Sequence, residues 1–389
     1  MAEFHVMNHH IGTGRIPVKL WLETIEESAL EQIRHLADLP FAFKHIAIMP
    51  DCHPCQGMPV GAVVATMGAV IPNAVGSDAG CGMCAVRLDI KGIDIEKLKI
   101  IMGRIRETIP VGFEHRKMSN EALMPKIAYG EIVKREWDSA TRQMGTLGSG
   151  NHFIEIQKGS DGHIWIMVHS GSRNLGNKVA EHYNKIAVEL NGRWHSSVPA
   201  ENKLAFLPIE SQEAKKYMEE MIFCLEFAKA NRALMMSDIK NIFHDITGAS
   251  PVQEINIHHN YAAWENHFGK NVIVHRKGAT SARKDEFGII PGSQGTKSYI
   301  VKGKGVPESF MSCSHGSGRR IGRKEARRVL NLEEEQRRLN EKGILHSIRS
   351  QEDLDEAAGA YKNIDEVMEN QKDLVDIVVE LTPLGVVKG

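Results

Sequence analysis

The sequence has few aromatic residues, no excess of charge of either sign and no long apolar segment. Aromatic residues make up 6% of the 389 residues, and 48 Lys and Arg balance 49 Asp and Glu to a formal net charge of −1. A neutral chain lacks the basic surface of a general nucleic-acid coat, so any nucleic-acid contact must be a local patch. The few aromatics also give no indication of base stacking along a single strand.

Signals for secretion or membrane insertion are absent as well. The N-terminal residues, MAEFHVMNHHIG, have no basic region followed by an apolar core, which a secretory signal requires. The most apolar stretch, residues 61–76, contains Pro72 and Asn73 and is too short to cross a bilayer. We therefore expect a cytoplasmic protein with no membrane contact.

Histidine and cysteine stand out in an otherwise ordinary globular composition. The chain has 19 His and 6 Cys, together with 42% hydrophobic and 25% charged residues. Such a composition excludes collagen, coiled coil and overall disorder. A large cytoplasmic protein needs no disulfide framework, so metal binding or catalysis is the favoured use of the cysteines. Most of the histidines are expected to be ordinary structural residues.

Hydrophobic periodicity predicts a mixture of helices and strands. Helices are predicted over residues 20–39, 95–108, 122–135, 210–244 and 332–341, and a basic helical segment is predicted to begin at Gly316. Strands are predicted over residues 43–50, 165–168, 255–257 and 271–275, with further short buried strands between residues 51 and 90. The chain shows no internal repeat and no long linker, so we predict one domain over residues 1–389.

A carboxylate and a thiol lie three residues apart on a glycine-rich turn, GSDAGCGM at residues 76–83. Asp78 offers a hard metal ligand and Cys81 a soft one, and the glycines allow a turn tight enough for both to face one cation. The alternative is a buried cysteine beside an aspartate that caps the turn. This segment alone does not decide between the two.

Four further segments combine His with Gly, Ser or Asn. They are GSGNHFIE at residues 148–155, VHSGSR at 168–173, IHHN at 257–260 and SCSHGSGR at 312–319. Two of them directly follow strand-like runs, and a loop at the end of a strand is a common place for a functional side chain. Each histidine taken singly could be structural, but the five segments together favour a shared metal site.

A structural zinc site is the competing interpretation. Cys52 and Cys55, and again Cys81 and Cys84, have the two-residue spacing of a four-cysteine zinc knuckle. The 25 residues between the two pairs exceed the usual spacing, and this mainly apolar interval suits core strands better, so this alternative is less favoured. The glycine-rich stretches also lack the residue order of a P-loop or of a Rossmann turn.

The most one-sided charge cluster directly follows His315. It consists of Arg319, Arg320, Arg323, Lys324, Arg327 and Arg328, opposed only by Glu325. Clustered cations in a neutral protein favour phosphate contacts, although a solvated helix face is the plainer alternative. A second basic patch is predicted at Arg276, Lys277, Arg283 and Lys284.

Taken together, the segments resemble the RtcB family of RNA-splicing ligases, from Pro17-Val18-Lys19 to Val387-Lys388-Gly389. Members of that family use Mn²⁺ and GTP to join RNA 3′-phosphate or 2′,3′-cyclic phosphate ends to 5′-hydroxyl ends, in tRNA splicing or RNA repair. The resemblance implies an α+β fold: a single compact domain with packed β-sheets, flanking helices and a central cleft for metal and guanylate.

The resemblance also implies the site residues. One Mn²⁺ ion would be bound by Asp78, Cys81 and His152, and Cys81 would bridge to a second Mn²⁺ ion bound by His169 and His259. His315 would be the nucleophile that takes GMP covalently. The implied guanylate-binding positions are Asn151, His152, Phe153, Ile154, Glu155, His259, Asn260, Pro291, Gly292, Ser293, Gln294, Ser298, His315, Gly316, Ser317, Gly318, Tyr361 and Lys388.

The sequence departs from the family pattern at several positions near these motifs. Gln294 replaces the usual Met, Cys55-Gln56 replaces a Gly-Lys pair, and Asn174 replaces a Gly. Ser77 and Ala79 also differ from the usual neighbours of the metal-binding aspartate. None of these changes removes a metal ligand or the nucleophile, so they bear on the RNA substrate rather than on the metal and guanylate chemistry.

The resemblance implies RNA and GTP as binding partners of a monomeric enzyme, with an accessory activating protein as a further expected partner. Two other functions remain as alternatives. One is a metal-dependent phosphoesterase that acts on RNA ends without ligation, for which His315 and Lys388 would be unnecessary. The other is a non-catalytic RNA-binding or zinc-structural protein, which would not need all five metal ligands.

Overall fold

The protein is described here by a computed structural model that covers residues 2–3, 9–11 and 14–389. Its strands are β1 Ala2–Glu3, β2 His9–Ile11, β3 Val18–Leu20, β4 Thr24–Ile25, β5 Ala42–His53, β6 Val60–Thr66, β7 Ala69–Val70, β8 Gly82–Leu88, β9 Phe153–Gly159, β10 Ile164–Ser170, β11 Leu207–Pro208, β12 Pro251–His258, β13 Asn260–His267, β14 Lys270–Lys277, β15 Ala279–Ser281, β16 Phe287–Ile290, β17 Ser298–Gly303, β18 Ser312–Ser314 and β19 Val375–Lys388. Its helices are α1 Glu27–Ala37, α2 Pro72–Val75, α3 Ile95–Thr108, α4 Glu131–Gln143, α5 Arg173–Arg193, α6 Gln212–Thr247, α7 Arg323–Val329, α8 Leu332–Glu341 and α9 Ile364–Glu369.

A seven-stranded antiparallel sheet carries most of the candidate site. Its strand order is β12-β8-β10-β9-β19-β17-β16. Apolar side chains on one face, such as Val86 and Ile166, pack against α3 and α6. The other face encloses a second apolar cluster that includes Met167 and Ile300, and the two edge strands β12 and β16 approach each other around it. The sheet is therefore strongly curved.

A six-stranded sheet with the order β13-β14-β6-β5-β3-β2 lies beside the first. Ile46 and Ile48 on one of its faces pack against α1. On the opposite face, Met49 and Val274 share an apolar cluster with Val301 of β17. This shared core joins the two sheets, and the fold is α+β with packed sheets and flanking helices, as the sequence predicted.

Several predicted elements are confirmed. The helices over residues 95–108 and 332–341 are present with the predicted bounds, and the helix predicted over 210–244 is α6. The strands predicted at 43–50, 165–168, 255–257 and 271–275 all lie inside longer strands. The short strands expected between residues 51 and 90 correspond to β6, β7 and β8.

Three helix predictions were wrong in their bounds. The helix predicted to begin at Leu20 begins at Glu27, because residues 18–20 pair with β5. The helix predicted over 122–135 begins at Glu131, where the buried Glu220 carboxylate accepts hydrogen bonds from the backbone N–H groups of Ile132 and Val133. The basic helix predicted from Gly316 begins at Arg323, and the residues between form a loop.

No helix in the described part of the chain is both long and apolar enough to cross a membrane. The longest helix, α6, has 36 residues, and its buried face includes the polar residues Glu220, Asn231 and Arg232.

Candidate active site

A cleft of about 760 Å³ lies where loops from both sheets meet. Most of the predicted site residues line it: Asp78, Cys81, Asn151, Phe153, Glu155, His169, His259, Asn260, Pro291, Gly292, Ser293, Gln294, His315, Gly316, Ser317, Gly318, Tyr361 and Lys388. These residues come from segments more than 300 positions apart in the sequence, and the fold brings them to one place.

The metal-binding end of the cleft is centred on Cys81. Its Sγ atom lies 3.5 Å from Nε2 of His152 and 3.3 Å from Nε2 of His169. The three ligand atoms lie within 4.8 Å of one another, and all three residues are buried. This is the one such group of three or more His, Cys, Asp or Glu found among residues 14–389. The arrangement suits a cation held by sulfur and nitrogen ligands.

Asp78 and His259 extend this cluster on opposite sides. An Oδ2 atom of Asp78 lies 3.2 Å from Nε2 of His152, and Nε2 of His259 lies 3.3 Å from Nε2 of His169. The five predicted ligands therefore form one continuous chain of contacts. A chain with Cys81 in the middle is the arrangement expected for two ions that share a thiolate.

Two of the histidines have their orientation fixed by backbone carbonyl groups. Nδ1 of His152 lies 2.9 Å from the carbonyl oxygen of Leu147, and Nδ1 of His169 lies 2.9 Å from that of Asn151. A neutral imidazole that donates from Nδ1 directs the Nε2 lone pair toward the cluster. Metal-binding histidines are commonly oriented in this way.

The protonation states of these groups suit a cation. Burial lowers the pKa values of His152, His169 and His259, so the three imidazoles are neutral near pH 7. Burial alone would raise the pKa of Asp78, but its contact with His152 and the positive charge of Arg173 outweigh burial and lower the pKa to about 2. Burial and the Asp78 charge raise the pKa of Cys81 well above its usual value.

The donor set fits Mn²⁺. One ionised carboxylate, three neutral imidazoles and one thiol that can lose its proton give hard, borderline and soft ligands around the same cavity. Binding would have to displace the proton of Cys81, because the ligand of a metal is the thiolate.

The four-cysteine zinc site is not formed within the described residues. Cys84 is a residue of β8 that packs in the core, and its Sγ atom is 3.9 Å from a carboxylate oxygen of Glu254. Cys52 is buried against α1 in another apolar cluster, whereas Cys55 is exposed. Successive residues of a strand point to opposite faces of the sheet. Two cysteines with two residues between them therefore do not share a face, and the four cysteines do not meet.

The proposed nucleophile is held by an aspartate that sequence analysis did not identify. Nδ1 of His315 lies 2.6 Å from Oδ2 of Asp51, and the same oxygen accepts a hydrogen bond of 3.0 Å from the backbone N–H of His315. Asp51 is fully buried. The ring of His315 lies 4.8 Å from that of His259, centroid to centroid, so the nucleophile and the metal cluster are in contact. An aspartate at the end of a buried strand was the signal available in the sequence.

The cleft is also lined by Glu155, Glu356, Tyr361 and Lys388. Burial raises the pKa of Glu155 to about 8, although Gln157 donates a hydrogen bond to its carboxylate. Nζ of Lys388 lies 3.9 Å from a carboxylate oxygen of Glu356, and the Tyr361 hydroxyl donates to the same carboxylate. Glu356 is a second buried residue of the cleft that sequence analysis missed.

Three predicted guanylate positions lie behind the lining of the cleft. Ile154 is buried in the core next to α3, and His152 points toward the metal cluster. The Oγ atom of Ser298 accepts a hydrogen bond of 3.1 Å from the backbone N–H of Gly292, so this side chain supports the 291–294 turn. Any contact of Ile154 or Ser298 with guanylate remains a prediction.

The basic cluster after His315 is less available for phosphate contacts than its sequence indicated. Arg323 donates to Glu356 at 2.8 Å, and Arg327 contacts Glu352 at 2.8 Å and Asp355 at 3.0 Å. Lys324 lines the cleft and has no ion pair among the described residues. Acidic residues of the 351–356 segment therefore neutralise part of the predicted phosphate-binding surface.

The second predicted basic patch is largely internal. Arg276 is fully buried and its guanidinium is bound to Glu265, and Lys277 donates to the carbonyl oxygens of Gln56 at 2.7 Å and Asn73 at 3.2 Å. Arg283 also contacts Glu265, at 2.8 Å. These contacts occupy three of the four cations, and only Arg283 and Lys284 are exposed, so the four do not form one free basic surface.

A family model described as tRNA-splicing ligase RtcB matches residues 32–136 and 117–389. An RNA-splicing ligase RtcB of Escherichia coli K12 is 35% identical over 98% of this chain and 100% of its own length. A tRNA-splicing ligase RtcB of Methanococcus maripaludis is 30% identical over 96% of this chain and 95% of its own. An RNA-splicing ligase RtcB of Mycobacterium tuberculosis is 29% identical over 92% of this chain and its own full length.

Proposed function

Because the chain belongs to the RtcB family of RNA-splicing ligases, we propose that it is an RNA ligase that depends on GTP and Mn²⁺. It joins an RNA 3′-phosphate or 2′,3′-cyclic phosphate end to a 5′-hydroxyl end. The observation that carries the proposal is the contact of His315 with both Asp51 and the metal cluster, in one cleft.

In the first step His315 acts as a nitrogen nucleophile. Asp51 accepts a hydrogen bond from Nδ1–H of the neutral imidazole, which leaves the lone pair on Nε2. Nε2 attacks the α-phosphorus of GTP, a P–N bond forms, and the bond to the β-phosphate oxygen breaks to release pyrophosphate. The developing positive charge on the imidazole is stabilised by the buried carboxylate of Asp51.

Asp78, Cys81, His152, His169 and His259 would hold the two Mn²⁺ ions. The bound ions would neutralise phosphate charge and so reduce the repulsion between a nucleophile and a phosphoryl group. The neutral imidazoles and the ionised Asp78 are already in the protonation states that metal binding needs.

Guanine recognition is assigned to the part of the cleft lined by Glu155, Tyr361 and Lys388. The base has N–H donors on its Watson–Crick edge, and the carboxyl group of Glu155 offers a buried oxygen acceptor for them, which ionises when they bind. Lys388 offers a donor next to it, and Tyr361 offers an aromatic face on which a base can stack. These roles rest on the resemblance and on the position of the three side chains in the same cleft.

Joining then follows in two displacements. An oxygen of the RNA 3′-phosphate attacks the phosphorus of the His315 adduct, the P–N bond breaks, and GMP is transferred to the RNA as an anhydride. The 5′-hydroxyl of the second RNA attacks the activated 3′-phosphorus and gives up its proton, and GMP leaves. A 2′,3′-cyclic end is first opened by water to the 3′-phosphate.

The deciding experiment is incubation of the protein with α-labelled GTP and Mn²⁺, followed by a test for acid-labile label on the protein. We expect one label per chain in the wild type and none in His315→Ala. The variant should keep its Mn²⁺ affinity in calorimetry, because His315 is not one of the five ligands. Label retained in His315→Ala would contradict the assignment of the nucleophile.

The same preparation separates ligation from plain hydrolysis. An RNA 3′-phosphate substrate together with a 5′-hydroxyl partner should give a joined product only when GTP is present. Loss of the terminal phosphate without joining and without protein labelling would instead support the phosphoesterase alternative.

A further inference from the structure

Two consecutive residues of α6, Asn231 and Arg232, lie beneath the metal cluster. Both are completely buried, and neither belongs to the predicted site. Completely buried arginine and asparagine side chains are costly unless all of their polar atoms are bound. Their partners therefore show what the pair does in the fold.

The guanidinium of Arg232 binds next to three of the five predicted ligands. Nη1 donates to the carbonyl oxygens of Gly80 and Ser170, both at 2.9 Å. Nη2 lies 3.2 Å from Nδ1 of His258. These partners directly adjoin Cys81, His169 and His259 in the sequence, so one planar group spans three ligand-bearing segments.

A further hydrogen bond, from the Nε atom, also holds this guanidinium in place. Nε donates to the side-chain oxygen of Asn256 on β12 at 2.8 Å. All four partners of Arg232 are neutral oxygen or nitrogen atoms and not carboxylates. Burial lowers the pKa of Arg232 to about 10, which leaves it protonated near pH 7. Arg232 therefore acts through the rigid, planar arrangement of its N–H donors and not through an ion pair.

Asn231 binds the segments that support the other two ligands, His152 and Asp78. Its Oδ1 accepts from the backbone N–H groups of Gly145 at 2.7 Å and Thr146 at 3.1 Å. The next residue, Leu147, provides the carbonyl oxygen that orients His152. The Nδ2 group donates to the carbonyl oxygens of Thr146 and Gly171, both at 3.2 Å.

Gly171 is the neighbour of Asp78. A Cβ atom at Gly171 would lie 2.2 Å from Oδ1 of Asp78, and the backbone N–H of Ser172 donates to the same oxygen at 3.2 Å. A shift of the 170–172 segment would therefore move Asp78. Through these contacts the Asn231–Arg232 pair touches the immediate support of every predicted ligand.

We propose that Asn231 and Arg232 are positioning residues of the metal centre, which set the separations of its five ligands from a single rigid helix. The inference rests on the metal centre of the proposed function and is independent of guanylate transfer and RNA joining. Residues that orient the ligands of a metal commonly change its affinity by about 10- to 100-fold when they are substituted.

The test uses Asn231→Asp, which keeps the acceptor but loses the donors, and Arg232→Lys, which keeps the charge but loses the fork. Mn²⁺ affinity is measured by calorimetry, and the geometry of the ligands by the absorption spectrum of the Co²⁺-loaded protein. We expect the Mn²⁺ dissociation constant to rise about 10- to 100-fold in each variant. We also expect altered thiolate-to-cobalt bands at saturating Co²⁺.

Matched controls separate positioning from general stability. Asn191 is a buried asparagine that binds the Phe206 backbone through both side-chain atoms, and Arg276 is a fully buried arginine. Neither makes a hydrogen bond to a ligand-bearing segment of the metal cluster. Asn191→Asp and Arg276→Lys should lower the melting temperature while leaving the Mn²⁺ affinity and the Co²⁺ spectrum of the folded protein unchanged.

Wild-type Mn²⁺ affinity and an unchanged Co²⁺ spectrum in both α6 variants would overturn the inference, whatever their melting temperatures. If neither variant folds, Asn256→Ala is used, since this half-buried residue accepts from Arg232 Nε. A smaller rise in the Mn²⁺ dissociation constant is then expected, and an unchanged Co²⁺ spectrum overturns the inference. A wild type that binds neither cation also overturns it. A wild type that binds Mn²⁺ but takes no label from GTP would refute only the proposed ligase.

Discussion

The carboxylate of Asp51 holds two nitrogen atoms of His315 at once, Nδ1 at 2.6 Å and the backbone N–H at 3.0 Å. This double contact fixes both the rotation of the imidazole ring and the position of its proton. Nε2 is thereby left as the free nitrogen.

Asp51→Asn should therefore slow guanylylation strongly while leaving the fold intact. The amide would donate to Nδ1, so the imidazole proton would move to Nε2 and block the lone pair. By analogy with the aspartate of a catalytic triad, we expect a loss of about 10²- to 10⁴-fold in rate. Single-turnover labelling with GTP measures it, and Mn²⁺ titration serves as the control. A wild-type rate would remove Asp51 from the mechanism.

Mn²⁺ binding should release one proton, which comes from Cys81. The three histidines are neutral and Asp78 is ionised near pH 7, but the pKa of the Cys81 thiol is raised well above its usual value. Because the thiol must ionise to bind, the affinity should rise by about tenfold per pH unit between roughly pH 7 and 8.

Calorimetry in buffers of different ionisation enthalpy counts the released protons. Cys81→Ser should bind Mn²⁺ more weakly and release no such proton, whereas Cys84→Ser should behave as the wild type, because Cys84 lies in the core. Equal loss of metal in the two variants would argue against Cys81 as the ligand.

Glu155 should make the metal-free protein less stable as the pH rises. Burial raises its pKa to about 8 in the folded state, above the value near 4.5 of an exposed carboxyl group. A raised pKa means that the stabilisation is complete below about pH 4.5 and is lost as the pH rises toward 8. The steepest loss is about 1.4 kcal/mol per pH unit.

Glu155→Gln removes this titration, so the difference in unfolding free energy between variant and wild type should grow in favour of the variant from pH 5 to 8. Urea unfolding at several pH values measures it. The same variant should bind GTP more weakly, since one carboxylate acceptor for guanine is lost. A pH-independent difference would show that the carboxyl group is not protonated in the folded protein.

Lys324 should contribute more to RNA binding than Arg323 and Arg327, its neighbours in the basic cluster. Arg323 and Arg327 are held by acidic side chains, whereas Lys324 lines the cleft without an ion pair among the described residues. Lys324→Ala should reduce the salt dependence of single-stranded RNA binding by a slope of about 0.7. It should leave guanylylation unchanged.

Lys215, an exposed lysine on α6, provides the control variant Lys215→Ala, for which an unchanged salt slope is expected. Filter-binding titrations at several salt concentrations compare the two. Equal slopes for Lys324→Ala and the wild type would mean that this helix face is merely solvated.

Local sequence patterns were sufficient to predict those elements whose ends are fixed by residues nearby in the sequence. The helix over 95–108 begins at Asp94, whose side chain accepts from the N–H of Lys97 three residues later. The start of α4 could not be found in this way, because its cap is Glu220, 88 positions further along the chain. The helix α5 was missed because Gly176 interrupts its apolar pattern. That glycine is needed, since a Cβ atom there would lie 2.0 Å from Ser172 Oγ.

The candidate site also combines residues that the sequence identified with residues that it did not. Resemblance supplied the side chains that face the cleft, and the structure brings most of them together. Asn231 and Arg232 carry no pattern of their own, because their importance arises from partners far away in the sequence, and Asp51 offered only its place at the end of a buried strand. The distribution of charge was also misjudged from sequence, since the partners of Arg323 and Arg276 lie on other elements.

The position of β19 has a consequence for synthesis on the ribosome. This strand, residues 375–388, is inserted between β9 and β17, and Lys388 pairs with Phe153 in the register. During translation β9 and β17 emerge long before the strand that joins them, so both have an unpaired edge until then. A nascent chain that stops before residue 375 would already contain all five metal ligands and His315, but not the strand that bears Lys388. The guanylate end of the cleft is therefore the last part to be assembled.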